Sequence, residues 1–141
     1  GVKRRVIPIE KFFESGLRPG EFISEIVIPK KSNKGRGTFT KFSRTRFDYS
    51  LVTVAAYSER RGKKARVVRV AISGVTPPTR VRVIEDELKG KVVTEELIDK
   101  AALQASLKVR LSKSYIFSDE YRRELLSTLL KRSLRKVLMG R

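Results

Sequence analysis

The sequence contains no cysteine and no histidine among its 141 residues. The absence of cysteine excludes disulfides and thiolate metal sites. The absence of histidine removes the commonest general base and the commonest metal ligand, so neither a Ser-His-Asp nor a Cys-His catalytic set can form. We therefore expect no catalytic residue and no metal site in this chain.

Long apolar segments are also lacking. No apolar run approaches the roughly 20 residues that a membrane-spanning helix needs. The basic start, Gly1 to Arg5, is not followed by the apolar segment of a signal peptide, and we expect a cytoplasmic location. Because the chain begins with Gly rather than Met, we expect it to be a fragment. The hydrophobic share of 40% and the charged share of 34% are typical of one globular domain with its own core.

Positive charge is abundant, with 33 Lys and Arg residues against 15 Asp and Glu and a net charge of +18. One interpretation is a surface that attracts nucleic acid or an acidic partner. The other is a solvated surface of the kind found in thermophiles, rich in Lys, Arg and Glu. Because the basic residues are spread along the chain rather than clustered, we favour the second interpretation.

Alternation of side chains predicts several strands. A short helix is expected at 9–16, ended by Gly16, and a strand at 22–29, followed by a basic loop at 30–37. A further strand is expected at 38–44. Segments 51–58 and 65–73 are rich in Val, Ile, Ala, Thr and Tyr and flank a polar stretch around Gly62, which predicts an antiparallel hairpin.

Three helical patterns follow the strands. The first has Val81, Ile84 and Leu88 on one face, and the second begins at the N-cap candidate Thr94. The third begins at Ser118, has a wide apolar face, and ends at Gly140. Strands followed by helices favour an α+β fold, in which a three- to four-stranded antiparallel sheet carries three helices packed on one face.

Residues 38–57 read TFTKFSRTRFDYSLVTVAAY. This string resembles the start of the C-terminal domain in flavoprotein subunits of the carbon monoxide dehydrogenase and xanthine dehydrogenase family of molybdenum hydroxylases. The family pattern is a strand Lys, an Arg-containing stretch, an Asp and a strand of small residues. Here the pattern consists of Lys41, Arg44, Arg46, Asp48-Tyr49 and residues 52–56.

Four other segments resemble the same family in the same order. They are RPGEFISEIVIPK, ISGVTPPTR, ELKGKVVTEELIDKA and SDEYRRELLSTLLKRSL. The resemblance implies that residues 1–29 are the tail end of a FAD-binding half or a lead-in strand, and that 30–141 are the C-terminal domain. Neither glycine-rich FAD motif of the family's N-terminal half is present in the chain.

The resemblance also implies a division of labour. In the family, the C-terminal domain completes the FAD pocket and helps to dock the flavin subunit onto the molybdenum and iron–sulfur subunits. Electrons pass through iron–sulfur clusters to FAD, and the protein supplies position and electrostatics. We expect FAD in the full subunit but not on this chain alone. The expected partners are the FAD-binding half and the other two subunits, without membrane or nucleic acid.

Four residues are candidate FAD contacts through this resemblance. Lys41 would place a cation near reduced flavin or a phosphate, and Tyr49 would stack on the isoalloxazine ring. Asp48 would bind a cofactor hydroxyl or form a turn, and Ile23 would pack against adenine or belong to an ordinary core strand. Arg44 and Arg46 would steer a pyrophosphate or a partner, unless they are simply solvated.

Two alternatives stay open. A nucleic-acid-binding module would use Phe39, Phe42 and Phe47 as a stacking surface, although no RRM, KH or helix-turn-helix signature is present. A scaffold domain without cofactor contact differs from the flavoprotein interpretation only at Lys41 and Tyr49. In the last helix, we expect Tyr121 on the core face, with Arg122 and Arg123 at an interface or in solvent.

Overall fold

The computed structural model describes residues 4–28, 35–45 and 47–140. The chain divides into two compact units, Gly1–Asn33 and Lys34–Arg141, which are described separately. In the first unit, helix α1 spans Ile9–Ser15 and ends where Gly16 takes a positive φ of 67° and donates its N–H to the Phe12 carbonyl at 2.8 Å. The helix expected at 9–16 is confirmed.

The strand expected at 22–29 is not formed in the described part of that segment. Residues 22–28 have no regular secondary structure, and Phe22, Ile26 and Ile28 are exposed. Alternation of side chains stabilises a strand only when a neighbouring strand accepts its hydrogen bonds and one face is buried. Neither condition is met among the described residues of this unit. Pro29 and residues 30–34 of the expected basic loop lie outside the described residues.

The second unit is built on a four-stranded antiparallel sheet in the order β1-β2-β3-β4. The strands are β1 Arg36–Phe42, β2 Val52–Arg61, β3 Lys64–Ser73 and the short β4 Thr79–Arg80. Strands β2 and β3 form the expected hairpin, and Gly62 turns between them with a φ of 60°. The side chain of a β-branched residue would strain this turn.

Only one face of the sheet is buried. Along β2, Val52, Val54 and Ala56 are buried, while the residues between them are half-buried or exposed. Strand β3 repeats this alternation with Val68, Val70 and Ile72. The period of two therefore directs one set of apolar side chains towards the helices and leaves the other face open.

Three helices lie on the buried side of the sheet. They are α2 Arg82–Leu88, α3 Glu95–Lys108 and α4 Asp119–Leu138. The hydroxyls of Thr94 and Ser118 accept backbone N–H groups at 3.2 Å and so begin α3 and α4 as expected. Helix α4 packs on β1 and β2, α2 packs on β3, and α3 packs on both of these helices. The α+β fold is confirmed; with α1 of the first unit, the described residues contain four helices rather than three.

A buried carboxylate ties β3, β4 and α2 together. Glu85 of α2 is 5% exposed and accepts hydrogen bonds from Arg80 Nε at 2.8 Å and from the Val70 N–H at 3.1 Å, and Arg69 lies at 3.5 Å. Burial acts to raise the pKa of Glu85, but the bonds from Arg80 and Val70 and the two guanidinium charges hold the pKa below its ordinary value of 4.5.

We predict that Glu85→Gln lowers the free energy of unfolding by about 2 kcal/mol at neutral pH, because two arginines and one amide lose a charged acceptor. Since the folded pKa is depressed, this stabilisation is present above about pH 4.5 and is lost as the pH falls through the folded pKa. Urea unfolding at pH 7 and pH 3 measures both effects.

Glu87→Gln on the same helix is the matched control for Glu85→Gln. Glu87 pairs with Lys91 and Lys100 at the surface, where salt screens the interaction, so we expect a much smaller loss. Equal losses in the two variants, or a Glu85→Gln effect that does not shrink in acid, would contradict the assigned role.

Candidate functional site

The connection between β1 and β2, residues 43–51, carries two of the four candidate cofactor residues, Asp48 and Tyr49. It is closed at its base by the Leu51 N–H, which donates to the Phe42 carbonyl at 2.8 Å. Ser43 Oγ donates to the Thr45 carbonyl at 2.7 Å, and Ser50 Oγ donates to the Val52 carbonyl at 3.0 Å. Short hydroxyl-to-backbone bonds of this kind give a polar loop a defined shape.

Lys41 and Asp48 are brought together by this loop. Lys41 projects from the open face of β1, and its Nζ donates to the Asp48 carbonyl at 3.1 Å. The Asp48 carboxylate lies 3.5 Å from Arg44 Nε. The ammonium group has three N–H donors, so two remain for a ligand. The Asp48 backbone carbonyl thus anchors Lys41, and the Asp48 carboxylate lies beside the guanidinium group of Arg44.

The aromatic residues of this connection are fully accessible. Tyr49 is 101% exposed and Phe47 is 95% exposed, so no described residue covers either ring. A large aromatic side chain normally buries most of its surface in a core or an interface. Their exposure favours an interface with a ligand or another polypeptide. The alternative interpretation, in which Tyr49 packs at the edge of this domain, does not hold, because no described residue contacts the ring closely enough to cover it.

The remaining candidates lie elsewhere. Ile23 belongs to the first unit, in a segment without regular structure, and is 53% exposed, so it is not the core strand residue of the alternative interpretation. Arg44 is bound to Asp48, and Arg46 lies outside the described residues.

The stacking surface of the nucleic-acid alternative is not formed. Phe39 is 69% exposed on the open face of β1, whereas Phe42 points to the opposite face and packs against the core. Phe47 lies in the following connection. Three phenylalanines that are close in sequence are thus divided between two faces and a loop, as the period of two in a strand requires.

Two further connections lie at the same end of the sheet, which we call the loop end. Gly74 follows β3, and a Cβ there would lie 2.5 Å from the Leu51 carbonyl oxygen, so only glycine allows the two backbones to approach. The Ser112 N–H of the α3–α4 connection donates to the Val75 carbonyl at 2.8 Å. Residues 43–51, 74–78 and 109–118 therefore meet at the loop end.

Exposed residues of the α3–α4 connection, which were not among the sequence-based candidates, also lie at the loop end. Tyr115 is 99% exposed and Ile116 is 69% exposed. Phe117 stacks on Tyr121 of α4, with ring centroids 5.4 Å apart. The sequence signal is a Tyr-Ile pair inside a serine-rich segment between two helices, where nothing in the fold requires apolar side chains.

Two arginines of α4 hold the α3–α4 connection. Arg122 is 3% exposed and its Nη1 donates to the Ser112 carbonyl at 2.7 Å, so the expected interface or solvent position of Arg122 is wrong. Tyr121 is 41% exposed, so its expected core position is also wrong. Arg123 donates to carbonyls at the end of α3, including that of Val109 at 3.2 Å. In the first turn of α4, the helical period turns Arg122 rather than Tyr121 towards the domain.

The described residues contain no group of three or more His, Cys, Asp or Glu side chains that would hold a metal ion. None of the helices in the described part of the chain has the length and apolar character needed to cross a membrane.

The fold and the loop end define the class: an α+β domain with an open sheet face and an accessible aromatic and basic loop end. A family model described as the CO dehydrogenase flavoprotein C-terminal domain matches residues 37–137. The chain belongs to this family, and the resemblance to the C-terminal domain of the FAD-binding subunit is confirmed.

Similar proteins are medium subunits. The chain is 33% identical over 140 residues to the nicotine 6-hydroxylase medium subunit of Paenarthrobacter nicotinovorans, covering 93% of this chain and 47% of that protein. It is 25% identical over 126 residues to the glyceraldehyde dehydrogenase medium chain of Sulfolobus acidocaldarius, covering 89% and 44%. The chain thus spans less than half the length of these relatives.

Solved structures show the same fold. Quinoline 2-oxidoreductase from Pseudomonas putida 86 superposes with a TM-score of 0.67 at 26% identity, covering 74% of this chain and 37% of that one. Carbon monoxide dehydrogenase from Hydrogenophaga pseudoflava superposes with a TM-score of 0.73 at 21% identity, covering 79% and 39%.

We predict that Arg122→Met loosens the α3–α4 connection. Methionine fills the volume but leaves the Ser112 carbonyl without its donor, which lowers the free energy of unfolding by about 1 to 2 kcal/mol. Hydrogen exchange should accelerate in residues 109–118. The control is Arg132→Met at an exposed position of the same helix, which should leave both quantities unchanged. Unaltered exchange in 109–118 would exclude Arg122 as the residue that positions the connection.

Proposed function

We propose that this domain completes the FAD pocket of a molybdenum hydroxylase flavoprotein subunit and takes part in docking that subunit for electron transfer from iron–sulfur clusters to FAD. The observation that carries the proposal is the fully exposed Tyr49 beside the anchored Lys41. The membership of the chain in the flavoprotein C-terminal domain family supports this assignment.

The side chains at the loop end fit a flavin. FAD would supply the electron-accepting isoalloxazine ring. Tyr49 presents a free aromatic face for stacking, and Lys41 keeps two ammonium donors that would stabilise negative charge on a ring or a phosphate. Asp48 would orient Lys41 through its backbone carbonyl, and its carboxylate beside Arg44 would bind a cofactor hydroxyl or hold the turn.

The N-terminal unit has a separate place in the proposal. Residues 1–29 would be the tail end of the FAD-binding half or a lead-in segment, and 30–141 would be the C-terminal domain. Ile23 is an apolar side chain that is half accessible and would pack against adenine. The proposed partners are the FAD-binding half, the molybdenum subunit and the iron–sulfur subunit, in keeping with relatives that are medium subunits. The cytoplasmic location stays a prediction.

We predict that this chain alone binds FAD weakly or not at all, because it carries neither glycine-rich motif that would cradle the phosphates. Titration of FAD with the chain, followed by flavin fluorescence, should show little change at micromolar protein. Submicromolar binding would contradict the proposed division of labour.

A second prediction concerns the subunit in which this domain is joined to a FAD-binding half. Tyr49→Ala should weaken FAD binding by about threefold to tenfold and shift the flavin absorption bands, because one ring loses a stacking partner. Tyr115→Ala is the matched control, since Tyr115 is equally exposed at the same end. Equal effects of the two variants on the absorption bands would contradict a direct contact between Tyr49 and the flavin.

A further inference from the structure

The end of the sheet opposite the loop end gathers basic residues from three separate segments. They come from the start of β1, the β2–β3 turn and the connection between α2 and α3. We call this group the basic pole; it consists of Arg36, Arg60, Arg61, Lys63, Lys64, Lys89 and Lys91.

Backbone bonds bring these segments together. Arg36 faces Ser58 in the β1–β2 pairing, two residues from Arg60. The Ala65 N–H donates to the Lys91 carbonyl at 3.0 Å, and the Gly90 N–H donates to the Ala65 carbonyl at 2.7 Å. The placement of the cations therefore follows from the fold, although they are scattered along the sequence.

The charges of the basic pole are poorly compensated. Lys91 pairs with Glu87 at 3.1 Å, and Arg60 Nη1 donates to the neutral Leu138 carbonyl at 2.6 Å. The other members of the pole form no ion pair with any residue in the described ranges. Like charges gathered at one end of a domain without compensation repel each other, so a partner of opposite charge gains binding energy by relieving the repulsion.

A cleft of about 260 Å³ opens within the basic pole. It is lined by Gly35, Arg36, Ser58, Arg60, Gly62 and Val137. The pole supplies two guanidinium-bearing residues to this cleft, and a guanidinium fork binds a carboxylate through two parallel hydrogen bonds. The cleft thus offers a place for an acidic side chain of a partner.

We propose that the basic pole is the docking surface for an acidic surface on a partner protein chain. An acidic protein is favoured over single-stranded nucleic acid because, among the described residues, the three aromatic side chains that are at least 95% exposed, Phe47, Tyr49 and Tyr115, all lie at the loop end, away from the pole. Base stacking on single strands needs such residues next to the basic groups. This proposal rests on the proposed function in one respect, namely that the domain has a partner subunit. It does not depend on the flavin contacts.

The test uses fluorescently labelled poly-L-glutamate as the acidic probe at about 150 mM salt, where long-range attraction is screened within roughly 8 Å. The triple variant Arg61→Gln, Lys63→Gln, Lys64→Gln should weaken binding, measured by anisotropy, by about tenfold. The matched control Lys108→Gln, Arg110→Gln, Lys113→Gln removes the same charge outside the pole and should weaken binding less than twofold. Equal weakening in both triples would overturn the proposal.

A labelled DNA duplex of similar charge is measured in parallel. Tighter binding of DNA than of poly-L-glutamate, with loss in the pole variant, would overturn the choice of an acidic protein.

Lysine acetylation of the unaltered chain gives a readout that does not depend on the folding of a variant. Poly-L-glutamate should slow the acetylation of Lys63, Lys64 and Lys89 at least threefold more than it slows the acetylation of Lys108 and Lys113. Uniform protection would overturn the proposal. If FAD reconstitution fails, by contrast, the result bears on the flavin contacts at the loop end. It does not change the expected protection of the lysines in the basic pole.

Discussion

Helix α4 lies across β1 and β2, and the remainder of the second unit depends on this packing. Leu126, Leu130 and Leu134 of α4 are fully buried, as are the inward valines of β2. At the far end, Ser58 Oγ of β2 donates to the Val137 carbonyl of α4 at 2.7 Å, which fixes the helix along the strand. Burying each large aliphatic side chain contributes about 2 kcal/mol, so this interface decides which face of the sheet is covered.

The packing of α4 on the sheet also determines which part of the helix lies at each end of the domain. Because α4 begins near the β1–β2 connection and ends near the β2–β3 turn, its first turn supports the loop end and its last turn borders the basic pole. Arginine side chains mark both places. Arg122 and Arg123 satisfy carbonyls of the α3–α4 connection, and Arg60 satisfies the Leu138 carbonyl at the end of α4. Cations near the carbonyl ends of helices are favoured by the helix dipole.

Part of the large positive charge therefore has a structural use. Arg80 and Arg69 engage the buried Glu85, and the arginines of α4 hold loops through neutral carbonyls. The exposed cations at the hairpin turn have no comparable use among the described residues. Within the second unit, the proposed flavin contacts Lys41 and Tyr49 lie at the opposite end of the sheet, so they and the basic pole would occupy separate surfaces.

Several elements could be predicted from local sequence signals, because those signals depend on few neighbouring residues. The hairpin around Gly62, the N-caps Thr94 and Ser118, the α+β class and the family followed from turn chemistry, capping and motif order. The other features depend on contacts between segments that are distant in the chain. Residues 22–28 alternate like a strand but have no pairing partner among the described residues, and Arg122 is buried because a facing carbonyl receives it. The basic pole and the loop end, where Tyr49 and Tyr115 both lie, each gather segments that are far apart in the chain, and such arrangements depend on how elements pack rather than on local pattern.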